Sequence, residues 1–324
     1  MLGWMIMALL AIIIIAAAMG VYLAWSTARK VERLVPPLGR FVEVDGAKLH
    51  YVDRGEGRPI VLIHGIGGNL RHFTGTILDE LATTNRVIAF DRPGCGYSER
   101  PAGTDASSEA QAAIIQKAID RLGIAEPLVA GHSLGGSIAL AHAVFQRGKA
   151  RGYVLIAPRA TDRGPVPPMF KAMAIKSPVL HHLIAWTIGI PLSIRRGLEI
   201  TRAVFAPQEP PADFGKASGG LLSLRPKSII ANFRDFAASN VTVRRIRDRY
   251  GEIEAPAIVL FGMEDQVLRP EIELAALETL PSAETQRLAG AGHMLMHVEG
   301  PAVIAAIRKL DAQTSGESRA AAAS

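Results

Sequence analysis

The first 28 residues form one apolar run without a charged side chain. As a helix, residues 6–25 are long enough to cross about 30 Å of hydrocarbon. Trp4, Tyr22 and Trp25 lie near the ends of this run, where aromatic side chains meet a membrane interface. We therefore expect a transmembrane helix over residues 1–28.

A cleaved signal peptide is the alternative interpretation, although no Lys or Arg precedes the run as a signal peptide requires. Three basic residues, Arg29, Lys30 and Arg33, follow it directly. By the positive-inside rule they predict that the bulk of the chain, which follows them, lies in the cytoplasm, with a periplasmic location as the alternative. Residues 29–40 read as a juxtamembrane linker because a Pro-Pro pair at 36–37 stops any helix that continues from the anchor.

A different pattern begins at Phe41. Two alternating stretches flank Asp45-Gly46, which is typical of a β-hairpin. Short apolar, β-branched runs then recur at residues 59–65, 86–91, 127–133, 153–158 and 256–262. Most of them are separated by helix-like sequence, and runs this apolar suit strands that are buried on both faces. The pattern predicts an α/β fold with a parallel sheet and a hairpin at its leading edge.

This alternation of strand-like and helix-like segments stops between residues 159 and 250, where apolar residues at helical spacing are interrupted by prolines. We interpret this segment as a helical cap inserted into one globular domain over 41–312, with a disordered tail at 313–324. The cap holds 15 Lys and Arg against 6 Asp and Glu, whereas the whole chain has 36 against 30. Its positive charge suits anionic lipid headgroups, acidic substrates or simply a solvated face.

Composition narrows the function classes. With 324 residues, 49% of them hydrophobic, the chain suffices for one large globular domain. Its single cysteine, Cys95, rules out an intramolecular disulfide. His293 and His297 are four residues apart, but no Glu follows His293 as a metalloprotease motif requires. We expect no metal, no cofactor and no nucleic-acid partner.

Ser133 is the candidate nucleophile. It stands in the stretch GHSLGG, after a β-branched run and before good helix formers. A serine at such a strand-to-helix corner needs glycines on both sides because the backbone is pinched. An N-cap serine would occupy the same corner, but a cap does not require Gly131 and Gly135 together.

A serine hydroxyl needs a base to take its proton. His293 lies in a glycine-rich loop between a strand-like run and a helix, and Asp265 follows a buried strand, from which it could hold the imidazole in the required tautomer. The order Ser133, Asp265, His293 is the one associated with catalytic triads on this kind of parallel α/β sheet.

Other residues compete for these roles. Glu264 is adjacent to Asp265 but must point elsewhere, and Asp162 is a fallback acid. His297 is expected to be a partly buried helix residue, and His132 to pack or form a local hydrogen bond.

Attack on a carbonyl creates an oxyanion that requires preorganised donors. One donor should be the backbone N–H of Leu134, immediately after the nucleophile. The second should come from the His-Gly-Ile-Gly-Gly loop at 64–68, where we choose the N–H of Ile66.

Five motifs occur in one order: VLIHGIGGN, VIAFDRPGCGYSERP, VAGHSLGG, FGMEDQV and GAGHMLMH. In these motifs the chain, from about Phe41 to Leu310, resembles the α/β-hydrolase superfamily. The resemblance implies an eight-stranded, mostly parallel sheet, a helical cap and acyl transfer to water through an acyl-enzyme. Epoxide hydrolases and haloalkane dehalogenases of this superfamily use an aspartate nucleophile, so Ser133 argues against both. Asp91 and Arg92 in the second motif are expected to shape a turn.

We predict a membrane-anchored serine hydrolase that resembles carboxylesterases and lipases and cleaves a small-molecule or lipid-like ester. Carbon–carbon bond hydrolases share the serine triad and cap, and haloperoxidases or perhydrolases share the GHS motif, so both remain alternatives. A noncatalytic ligand-binding protein is a further alternative, but such a protein has no physical need for an intact triad. The oligomeric state is left open.

Overall fold

The structure, a computed structural model, describes residues 1–101 and 103–315. Its first helix, α1, spans Leu2–Leu34 and is therefore longer than the predicted anchor over 1–28. No helix breaker occurs before the Pro-Pro pair, so the first half of the predicted linker is helical and only residues 35–39 connect α1 to the sheet. A disordered tail is predicted over 313–324, and residues 316–324 of it lie outside the described part of the chain.

Eight strands form one sheet, as predicted, in the order β1-β2-β4-β3-β5-β6-β7-β8. The strands are β1 Arg40–Val44, β2 Ala47–Arg54, β3 Pro59–Ile63, β4 Arg86–Phe90, β5 Leu128–His132, β6 Gly152–Ile156, β7 Ala257–Gly262 and β8 Ala283–Leu288. Only the β1–β2 and β2–β4 pairs are antiparallel. Asp45 and Gly46 both have positive φ in the hairpin turn, the conformation that a two-residue type I′ turn requires.

The apolar strands lie in the centre of the sheet. Every residue of β5, β6 and β7 is buried, because helices cover both faces. The edge strand β8 instead alternates between half-buried and exposed residues, which explains its weak sequence signal. The helices outside the cap are α2 Arg71–Thr74, α3 Leu78–Leu81, α4 Ser108–Arg121, α5 Leu134–Phe145, α10 Pro270–Leu277, α11 Leu295–Val298 and α12 Gly300–Gln313.

Residues 159–250 contain helices and no strand, consistent with a helical cap. Its helices are α6 Pro178–Trp186, α7 Gly189–Phe205, α8 Phe214–Ala217 and α9 Pro226–Ile246, with 3₁₀ segments at Pro168–Ala174, Gly220–Leu224 and Arg247–Glu252. Pro178 and Pro226 each occupy the first helical position, where the missing N–H costs nothing. These two prolines therefore begin helices and do not interrupt them.

The carboxyl-terminal half of α1 packs against the cap. Val31 and Val35 are buried with Leu222 in a small apolar cluster of their own. The Arg225 guanidinium donates to Glu32 Oε1 at 3.2 Å, and the Tyr97 hydroxyl donates to the Val35 carbonyl at 2.5 Å. The end of α1 is therefore part of the folded protein.

Candidate active site

Ser133 lies at the sharp turn between β5 and α5, at the carboxyl edge of the sheet. Its φ of 54° and ψ of −116° are strained for a residue with a side chain, as at a nucleophile elbow. A Cβ at Gly131 would lie 2.2 Å from the Gly135 carbonyl oxygen, and one at Gly135 would lie 2.1 Å from the Ile63 oxygen. Both glycines are therefore required by close backbone contacts around Ser133.

Asp265 and His293 form a buried pair at the same edge. His293 Nδ1 donates to Asp265 Oδ2 at 2.6 Å, and both side chains are almost completely excluded from solvent. The other carboxylate oxygen, Oδ1, accepts the N–H groups of Val267 at 2.7 Å and Leu268 at 2.9 Å. These bonds orient the carboxylate, and a proton on Nδ1 leaves His293 Nε2 free to accept a proton.

His132 connects the serine turn to the His293 loop. Its Nε2 lies 3.1 Å from the His293 carbonyl oxygen, and the two imidazole rings are 4.7 Å apart. Burial, with the neighbouring His293 ring, lowers the pKa of His132 well below its usual value. The neutral ring therefore donates from Nε2 and holds the backbone of His293 beside Ser133. The hydrogen bonds of the described residues include none from Ser133 to His293; catalytic bonds of this kind often tighten only with substrate.

Two backbone N–H groups next to Ser133 could bind an oxyanion. No hydrogen bond within the described ranges uses the N–H of Ile66 or of Leu134. The Leu134 N–H is the first of α5, where the helix dipole also favours negative charge. The Ile66 loop lies against Ser133, since a Cβ at Gly65 would lie 3.0 Å from Ser133 Cβ.

Side chains from three segments fix the Ile66 loop. The Gly65 carbonyl accepts His64 Nδ1 at 2.8 Å and Arg92 Nη2 at 3.1 Å, while the Arg92 N–H donates to His64 Nε2 at 3.0 Å. Burial and the Arg92 charge lower the pKa of His64 well below its usual value, so it stays neutral. The Gly67 N–H donates to Asn232 Oδ1, 3.1 Å away on cap helix α9.

Asp235, also on α9, ties the cap to this network. Its carboxylate is completely buried and pairs with Arg92 at 2.6 Å and with Arg100. Gln111 Oε1 accepts from the same Arg92 nitrogen at 2.9 Å. Since Arg92 also donates to the Gly65 carbonyl, Asp235 is a positioning residue for the Ile66 loop.

Asp235→Asn is expected to destabilise the fold by about 3–5 kcal/mol, because it leaves two buried guanidinium groups without their counter-charge. Urea unfolding of the variant measures this loss. Glu252→Gln is the matched control: Glu252 pairs with Arg147 and Arg249 in solvent, so its loss should change stability little. Equal stability of the two variants would show that the buried cluster does not hold the cap.

Glu273, on α10, binds the start of the cap segment. Its Oε2 accepts the N–H groups of Ala160 at 2.6 Å and Thr161 at 2.9 Å, a few residues after β6 ends at Ile156. Burial raises the pKa of Glu273 to about 7. Sequence reasoning missed Asn232, Asp235 and Glu273, because their partners are remote in the chain and no local motif marks them.

The competing residues lie elsewhere or have other partners. Glu264 is exposed while Asp265 is buried. Asp162 pairs with Arg244 at 2.9 Å and with Arg247, so it does not face His293. His297 lies on α11 as expected, and burial lowers its pKa to about 4.

Asp91 and His72 complete the surroundings of the site. Asp91 accepts the Leu70 and Tyr97 N–H groups at 2.8 and 2.7 Å, which is the expected turn-shaping role. The His72 ring packs 5.8 Å from that of His297, and burial lowers its pKa to about 3, so this ring is uncharged too.

The chain is similar to proteins with different activities. It is 28% identical over 283 residues to haloalkane dehalogenase 2 of Mycobacterium tuberculosis, a match that covers 85% of this chain and 95% of the relative. It is 26% identical over 271 residues to lipase 1 of Psychrobacter immobilis, covering 78% of this chain and 76% of the lipase.

A solved structure of a bacterial membrane phospholipase A superposes with a TM-score of 0.67 at 21% identity. The superposition covers 97% of this chain and 99% of that one, so it must include most of α1. The family model described as the alpha/beta hydrolase family matches residues 60–307, which contain the sheet core, the cap and the Ser133, Asp265 and His293 site. The chain therefore belongs to the alpha/beta hydrolase family.

Proposed function

We propose that this hydrolase cleaves an ester bond through a Ser133–His293–Asp265 triad and an acyl-enzyme. The observation that carries the proposal is the buried His293–Asp265 pair, 2.6 Å long, beside a strained serine turn with two free backbone N–H groups. This arrangement supplies a nucleophile, an oriented base and an oxyanion site, the three parts that acyl transfer needs.

In the first half-reaction, His293 Nε2 takes the hydroxyl proton as Ser133 Oγ attacks the ester carbonyl carbon. The carbonyl oxygen becomes an oxyanion and accepts hydrogen bonds from the Ile66 and Leu134 N–H groups. The imidazolium, stabilised by Asp265, then gives its proton to the leaving alkoxide as the tetrahedral intermediate collapses to the acyl-enzyme. Water repeats the cycle on the acyl-enzyme and releases the carboxylic acid.

Ser133 argues against haloalkane dehalogenation, the activity for which one of the relatives is named. One relative of the chain is a haloalkane dehalogenase. Haloalkane dehalogenases of this superfamily use an aspartate as the nucleophile, whereas this chain has Ser133 at that position. A lipase and a membrane phospholipase A are also similar to it, and both names describe ester hydrolysis. A lipid-like ester is therefore the substrate class that we propose.

Helix α1 is proposed to anchor the enzyme in a membrane. Residues 2–19 project from the folded domain with every side chain exposed, and α1 is long and apolar enough to cross a bilayer. Cleavage as a signal peptide would remove part of a helix that packs through Ala24 and Val31 in the folded protein, which favours a retained anchor. The basic residues after Trp25 favour a cytoplasmic catalytic domain.

A substrate panel tests the reaction type. The full chain, purified in detergent, is expected to hydrolyse p-nitrophenyl esters, and a fluorophosphonate probe is expected to modify Ser133, as located by peptide mass spectrometry. Cleavage of vinylogous diketones without ester turnover would replace this proposal with carbon–carbon bond hydrolysis. A folded protein that neither reacts with the probe nor cleaves either substrate class would instead be a ligand-binding protein.

A further inference from the structure

The cap carries eight exposed apolar side chains on α6, on α7 and at the turn between them, which we name the cap face. Their exposed fractions range from 37% to 75%. The cap face consists of Val179, Leu180, Leu183, Trp186, Ile188, Leu192, Ile194 and Leu198. Single exposed apolar residues are common, but eight of them within residues 179–198 indicate a surface that contacts a protein or a membrane.

The cap face adjoins α1. Gly20 of α1 lies against Thr187, at the turn between α6 and α7, and a Cβ at Gly20 would be 2.9 Å from Thr187 Cα. The two backbones are therefore in contact, and a larger residue than glycine would separate them. Trp186 and Ile188, which flank Thr187, both belong to the cap face.

The contact also fixes how deep the cap face lies relative to α1. Gly20 precedes Trp25, the aromatic residue at the end of the apolar run, by five residues. At 1.5 Å per residue, Gly20 lies about 7–8 Å from Trp25 along the helix axis. If Trp25 is at the membrane interface, the turn at Thr187 is on the hydrocarbon side of it, at the depth typical of interfacial amphipathic helices.

Exposed basic side chains occur within and next to the segment that carries the cap face. Lys171 and Lys176 precede α6, and Arg195 lies on α7; all three are exposed. Arg29 and Lys30 follow the apolar run of α1 at the level where headgroups would lie. An apolar surface with neighbouring cations complements a bilayer that contains anionic lipids, with apolar groups among acyl chains and cations among headgroups.

We propose that the cap face is inserted into the membrane leaflet that holds the Trp25 end of α1, so that α6 and α7 lie in the membrane interface. This inference rests on the proposed anchor and adds a second, monotopic contact to it. The cap above the active site is then in contact with lipid, the source of the proposed lipid-like ester.

Spin labels test this placement in the full chain, reconstituted in nanodiscs of phosphatidylcholine and phosphatidylglycerol that hold one protein each. Labels are attached at Leu183→Cys and Ile188→Cys, both exposed in the structure. The native Cys95 is buried, so the unsubstituted protein gives the background. We expect both labels to be accessible to oxygen, shielded from an aqueous nickel chelate, and about 5–10 Å below the headgroups.

Two control positions distinguish a failure of the cap-face inference from a failure of the proposed membrane anchor. Phe145→Cys places a label at the far end of α5, away from the carboxyl edge of the sheet, where we expect full access to the chelate. Ile12→Cys reports on the anchor itself. Cap labels as accessible as the Phe145→Cys label, with the Ile12→Cys label in lipid, would overturn the inference and leave the anchor standing. An Ile12→Cys label in water would overturn both.

A second copy of the chain is the other partner that could cover the cap face, and the same labels test for it. Shielding of Leu183→Cys and Ile188→Cys that appears only in nanodiscs holding two proteins would show that another chain, not lipid, covers the cap face. Shielding that persists with one protein in each disc supports lipid insertion.

Discussion

Ser133→Ala is expected to lower kcat for a p-nitrophenyl ester by about 10⁶-fold and to abolish labelling by a fluorophosphonate probe. The change removes only the hydroxyl oxygen from a turn whose backbone is held by Gly131, Gly135 and the bond from the Ser133 N–H to the Ile156 carbonyl. The fold and the oxyanion donors should therefore persist. Steady-state kinetics and far-UV circular dichroism of the purified variant measure the two effects.

Ser137→Ala is the matched control for this prediction. Ser137 lies one turn further along α5 and is as completely buried, with its hydroxyl 3.2 Å from that of Ser108. Its loss should leave kcat within a few-fold of the parent enzyme. A folded Ser133→Ala variant with nearly full activity would show that the nucleophile is another residue.

Asp265→Asn is expected to lower kcat by about 10⁴-fold with little change in structure. The reason lies in the two carboxylate oxygens. The N–H groups of Val267 and Leu268 bind Oδ1, so the amide of the variant must place its carbonyl oxygen there and turn its NH₂ group toward His293. His293 Nδ1 must then accept a hydrogen bond, and the proton moves to Nε2, the nitrogen that should act as the base.

Two neighbouring carboxylates serve as controls for the tautomer argument. Glu264→Gln changes an exposed side chain next to Asp265, and Asp162→Asn changes the fallback acid, which pairs with Arg244 and Arg247 instead. Both variants should keep close to full kcat in the same ester assay. If Asp162→Asn caused the large loss and Asp265→Asn did not, the assignment of the acid would be wrong.

Much of the fold could be predicted because local composition follows the environment of each segment. Buried central strands such as β5 and β7 are continuous apolar runs, and the Asp45-Gly46 turn requires the positive φ values that these residues tolerate. The edge strand β8 gives only a weak signal, since its residues are half-buried or exposed and its sequence is mostly polar. Helix α1 continues beyond residue 28 to Leu34, since residues 29–34 are compatible with a helix and the first helix breakers are the prolines at 36–37.

The candidate site was predictable for a similar reason. The glycines around Ser133 are needed by backbone contacts within a few residues, so they leave a short motif in the sequence. Asp265 and His293 follow strands whose carboxyl ends must meet at one edge of a parallel sheet. The supporting residues leave no such motif: Asp235 is 143 positions from Arg92, and only the packing of α9 on the sheet domain brings them together.

The sequence by itself determined the elements that obey local rules: the apolar helix, the sheet, the serine turn and the order of the triad residues. The tertiary structure decided what depends on the meeting of distant segments. Three such features are the Asp235 network that fixes the Ile66 loop, the burial that keeps His132 neutral, and the contact of Gly20 with Thr187. The physical reason is that desolvation, ion pairing and close packing depend on neighbours in space, which hydrophobic periodicity and short motifs do not encode.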